Sequence, residues 1–247
     1  MTVPDPFAPP SGALGGRPGP VGATWDPAAD VHAVRRPGAE PWAVDQAAPQ
    51  PPVTLAAWTV GLASVWAALQ VVLFALAPAA ADEYARAIAV GTSPLYVDTW
   101  YDTVGAFLLP VQVAVFVVGC LWLQRSREIA VRRSPHVRQV RGAVWVWLGW
   151  VVPIVLLWFP FQVVRDVRAG TVGSTRGAGL GLWWTCWLVY LVAANQTGLV
   201  SLSVGSRGPE SLPWWEGVAT LACVVGLVVW ARTVRAITAS QVSGQIR

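Results

Sequence analysis

With 247 residues, 55% hydrophobic and 12% charged, and a mean hydropathy of +0.51, the chain is too apolar for an ordinary water-soluble domain. The net charge of +4 is carried by arginine without any lysine, and no recognition motif accompanies it, which argues against a nucleic-acid partner. Sixteen tryptophans against one methionine point instead to a lipid bilayer, where indole rests at the water boundary. The Ala, Gly, Pro and Val bias without lysine is that of a GC-rich bacterial genome.

Cys120, Cys186 and Cys223 fall inside apolar runs with no metal or redox spacing and read as packing residues. His32 and His136 stand far from any paired ligand, so neither a metal site nor a cofactor is expected.

Residues 1–52 hold twelve of the twenty prolines and few large aliphatic side chains. Such a stretch buries too little surface to offset its ordering entropy, and it reads as a disordered, Pro/Gly-rich cytoplasmic tail. It lacks the basic start, apolar run and cleavage site of a signal peptide. A cytoplasmic protein partner docking on it is the minority reading. Residues 53–237 read as a helical membrane domain and 238–247 as a polar C-terminal tail.

The first span is expected over 53–77, with Pro78 ending it. A polar loop over 79–103 follows, carrying Asp82, Glu83, Asp98 and Asp102 against Arg86, with a short surface helix near 82–89. Tyr84, Tyr96, Trp100 and Tyr101 give it the aromatic character of a membrane rim. The second span is expected over 104–123, kinked by Pro110, with Gln112 its strongly polar side chain.

Arg125, Arg127, Arg132, Arg133, Arg138 and Arg141 then stand against Glu128 alone. A segment so basic belongs in the cytoplasm and is a candidate contact for anionic lipid headgroups. The central apolar segment, 143–164, is long enough to span but is broken beside Gly149 by Pro153 and again by Pro160. If it crosses, ten arginines lie inside and seven outside; if it dips in and returns, fifteen lie inside and two outside. The positive-inside rule favours the second arrangement. The fold class is therefore an all-α integral membrane protein with four transmembrane helices plus a Pro-broken, re-entrant or kinked central helix; five ordinary spans is the alternative. The N-terminus is placed in the cytoplasm of a multi-pass cell-membrane protein.

Residues 161–168 alternate apolar and charged side chains and are expected along the cytoplasmic interface, with 169–179 a flexible connector. The next span, 180–203, opens with Trp183, Trp184 and Trp187 and carries Asn195, Gln196 and Thr197. That trio is a possible polar pocket, with interhelical packing the plainer reading. After a loop over 204–212, Pro213 and Glu216 suit the first turn of a last span ending near Trp230.

Arg125-Ser-Arg127 with Ala130, Trp147-Leu-Gly149-Trp150, Pro153-Ile154, Trp158-Phe-Pro160 and Trp183-Trp184 resemble the domain of unknown function 4328 family of bacterial membrane proteins. The resemblance covers roughly residues 55–235, its specific part 125–187. It implies Asn at the positions of Ile129 and Leu156, where this chain departs from the pattern, and it implies no activity.

No ionisable side chain is expected inside a span, with Glu216 placed at an end, and no nucleophile–base pair or phosphate loop is present. The reading is a non-enzymatic scaffold or adaptor with a basic cytoplasmic face. The alternative is a small-solute channel or permease built on the broken central helix.

Overall fold

The computed structural model describes residues 49–173, 179–202 and 208–244, all within one unit, Ala48–Arg247. The expected disordered tail falls almost wholly outside the described residues. Six α-helices and no strand occur among those described: α1 (Val53–Ala89), α2 (Trp100–Arg133), α3 (Trp145–Leu148), α4 (Phe159–Val172), α5 (Leu180–Ser201) and α6 (Leu212–Ser243).

Three stretches, Val53–Ala89, Trp100–Arg133 and Pro209–Ser243, are long and apolar enough to cross a membrane. The 22 residues of α5 rise about 33 Å, a crossing length, but its tryptophans and its Asn-Gln pair dilute the hydropathy. Thr59, Thr171 and Thr233 return their hydroxyl protons to the carbonyl four residues earlier, satisfying inside each helix a group that lipid would leave unpaired.

Four expected boundaries are corrected. Pro78 does not end the first helix, and 82–89 is its last part rather than a separate element. The alanines around and after Pro78 are good helix formers. Ala77, Ala80, Ala81 and Tyr84 bury against Tyr101, Val200 and Leu212, and that packing outweighs one missing backbone hydrogen bond. The second helix begins at Trp100, because Thr99 and Asp102 form a reciprocal capping box there. It also runs on through the arginines to Arg133, so the first half of the basic segment is helical. The expected connector at 169 is still helix as far as Val172. Beyond the last span the start of the polar tail is also helix, so that α6 reaches Ser243.

The core falls into three apolar layers along the helices. One lies where α1 ends and α6 begins, around Leu73, Tyr101 and Leu212. A middle layer joins Trp66, Tyr190, Ala219 and Ala222. The third, at the ends of α2 and α6, packs Trp122, Val146, Val164, Trp184 and Ile237. By contrast, only 6% of the most apolar stretch of α2 is buried, so that helix turns most of its surface outward.

Candidate functional site

The central segment is broken at both predicted places. After the single turn of α3 the chain passes Gly149 and Pro153 through turns and a short 3-10 stretch, Val155–Leu157, and Pro160 then sits in the first turn of α4. Gly149 lets the two flanks meet, because a Cβ there would lie 2.6 Å from the Trp145 carbonyl oxygen and 3.4 Å from Phe159 Cβ. Neighbouring helices cover some of the backbone that the breaks release. Trp184 of α5 donates its indole N–H to the Leu157 carbonyl at 3.1 Å, and Cys120 of α2 donates to that of Val146 at 3.2 Å.

The two flanks of this segment come together. The Val140 backbone N–H donates to Asp166 Oδ2 at 2.9 Å, and Arg141 Nε donates to Gln162 Oε1 at 2.7 Å while its guanidinium lies 3.7 Å over the Phe159 ring. The same end of the bundle holds the end of α2, whose Arg133 donates to the Ser240 carbonyl at 2.7 Å, and the end of α4, whose Thr171 carbonyl accepts from the Ser240 hydroxyl at 2.6 Å.

Among the basic residues the structure separates two kinds. Arg127 donates to the Arg141 carbonyl at 3.0 Å, so Arg127, Arg133 and Arg141 brace the fold. Arg125, Arg132 and Arg138 are exposed, with Arg125 in a 3.2 Å surface pair with Glu128. They are the described arginines of this segment best placed to meet a headgroup.

The polar trio of α5 does not converge. Three successive residues fan over about 200° of a helix, which rises by 3.6 residues per turn. Asn195 is exposed, Gln196 half-buried and Thr197 buried, its hydroxyl donating to the Ala194 carbonyl at 3.0 Å.

A different polar cluster forms instead. Glu216, placed by sequence at an end of its span, is the fifth residue of α6, and it is 2% exposed, so its carboxyl group turns into the bundle. Its Oε1 accepts from the Tyr101 hydroxyl at 2.6 Å, its Oε2 accepts from Gln70 Nε2, and Thr197 borders the pair. Four helices thus meet at one carboxyl group, and Thr220, a turn further along, donates to the Gln70 carbonyl at 3.1 Å. Beside it, Asp102 accepts from Tyr84 at 2.6 Å while closing the cap of α2. The arrangement supplies two neutral donors to two oxygens, a tie between helices. Gln70 was the missed signal: a lone amide deep in an apolar span needs a partner.

An apolar cavity of about 370 Å³ lies between α1, α2, α5, α6 and the turn after α3, walled chiefly by Trp66, Trp150, Trp183, Trp187, Tyr190 and Trp230. Among the described residues no group of three His, Cys, Asp or Glu is placed to hold a metal ion.

Among the described residues, an all-helical fold with three membrane-capable helices and a twice-broken, tryptophan-rich hairpin between two of them is the class these features define. Residues 96–239 match the family described as a domain of unknown function (DUF4328), more than half of the chain, and the protein belongs to that family. Neither the curated proteins nor the solved structures hold a match to it.

Proposed function

We propose that the protein is a non-enzymatic scaffold or adaptor of the cell membrane, with four spans, a re-entrant central segment and a cytoplasmic N-terminus. Its basic face meets anionic lipid headgroups, and its Pro-rich tail is open to a cytoplasmic protein partner. No cofactor and no catalytic step are assigned to it.

The observation that carries this reading is the division of charge along the helices. Arg125, Arg127, Arg132, Arg133, Arg138, Arg141, Arg165 and Arg168 gather at the end where α2 and α4 finish, near Ser240 of α6. Asp82, Glu83, Asp98, Asp102, Glu210 and Glu216 gather at the other. The contacts from Val140 and Arg141 to α4 support a segment that enters and leaves on the basic side, since flanks on opposite faces would stand about 30 Å apart. A small-solute channel or permease is the second reading, favoured by the cavity beside the broken segment, to which Trp150 and Val151 contribute.

The two are separated by comparing the full chain with one lacking residues 1–50. A scaffold loses its co-purifying cytoplasmic partner on that truncation and passes no solute in liposomes. Solute flux that survives the truncation but falls on substitution of Pro153, Pro160 or Asn195 overturns the scaffold in favour of the permease.

A further inference from the structure

We propose that the aromatic cavity binds a neutral molecule with a planar ring, a carbonyl oxygen on that ring and an apolar tail, the chemistry of an alkyl-substituted quinone. The inference stands apart from the scaffold reading.

Charge comes first. None of the described residues lining the cavity is an Asp, Glu, Arg or His, so an ionic guest would find no counter-charge in a lipid-surrounded site. Shape comes second. Trp66 meets Tyr190 edge-on at 4.9 Å between ring centroids, Trp187 stacks on Tyr190 at 6.0 Å, and Trp150 meets Trp187 edge-on at 5.7 Å. Flat walls of this kind suit a flat guest, and about 370 Å³ leaves room for a substituted ring.

The polar anchor is Gln112 of α2. Its amide lines the cavity and makes no hydrogen bond among the described residues. It stands about 18 Å along the axis of α2, at a depth where water does not compete. An amide N–H there lacks an acceptor, and a ring carbonyl provides one. The indole N–H of Trp187, another lining residue, is likewise buried without a partner. Leu109 and Val113 line the cavity and are exposed, so it opens toward the lipid side and gives a tail its way out.

Depth separates this guest from an ordinary bilayer lipid. Ester carbonyls of a phospholipid lie at the headgroup boundary, about 15 Å from the midplane of a hydrocarbon core about 30 Å thick, away from Gln112.

The test uses the full chain in nanodiscs and follows tryptophan fluorescence during titration with decyl-benzoquinone. Five of the lining residues named above are tryptophans, so a bound quinone quenches them saturably. Gln112→Leu removes the amide at similar size and is expected to weaken the saturable component about tenfold. Gly119 also lines the cavity, and a Cβ there meets nothing within 4 Å, so Gly119→Leu is expected to fill the space and abolish that component while favouring the helix. Far-ultraviolet circular dichroism confirms that both variants are folded. Quenching that is not saturable in the wild type, or is equal in all three proteins, overturns the proposal. Quenching by phosphatidylcholine with brominated chains that is lost in Gly119→Leu, without any saturable response to the quinone, also overturns it and assigns the cavity to bilayer lipid.

Discussion

Glu216 shows how one side chain can hold four helices in register. Both of its oxygens accept hydrogen bonds from groups on other helices, and the pairs join positions more than a hundred residues apart. Removing a donor differs from removing the acceptor. Tyr101→Phe deletes one interhelical bond and is expected to cost about 1 kcal/mol. Glu216→Ala strands two buried donors, and its cost is expected to be about 3 kcal/mol. Chemical denaturation in mixed micelles reads both; equal losses would show that the carboxyl group is not the hub. Likewise Trp184→Phe keeps an aromatic ring but removes the indole N–H and part of the buried ring, leaving the Leu157 carbonyl open, with an expected loss of about 2 kcal/mol by the same measurement.

At the scale of elements, much of the architecture could be read from pattern alone. Apolar length and the arginines marked the helices, and Pro153 and Pro160 marked both breaks. Helix ends were harder, for physical reasons. Pro78 carries a local penalty that only tertiary burial of Ala77, Ala80 and Tyr84 overcomes, and no local pattern reports that burial. The Glu216 cluster was hard to read because its members lie on four helices; Gln70, a lone amide in an apolar span, signalled that a partner exists but not which one. Asn195, Gln196 and Thr197 looked like a site because they are adjacent in sequence, yet helical rotation turns them apart. The hairpin of α3 and α4 makes its own prediction. Gly149→Ala would push a methyl group against the Trp145 carbonyl and Phe159, and is expected to destabilise the fold by about 1–3 kcal/mol, read as a lowered denaturation midpoint.

On the scale of the whole molecule, charge and hydropathy act together. In the proposed topology lipid solvates the outward apolar surface of the helices, and the guanidinium groups keep one set of helix ends in the aqueous phase. Arg125, Arg132 and Arg138 are exposed beside helix ends rather than committed to the fold. Changing all three to Gln is expected to release anionic lipid from the purified protein by about 1 kcal/mol for each arginine, seen as lost phosphatidylglycerol in native mass spectrometry. The same change at Arg127 or Arg141 is expected to lower stability instead, because those side chains hold the Arg141 carbonyl and Gln162.

The most direct measurement asks on which side the chain stands before and after its central hairpin. Single cysteines at His136 and Ser174, in a chain whose three native cysteines are replaced, can be labelled with an impermeant maleimide in right-side-out and inside-out vesicles. Both positions reacting only in inside-out vesicles is the expected result. If the two react from opposite faces, the hairpin crosses the bilayer and the topology proposed for the protein is wrong.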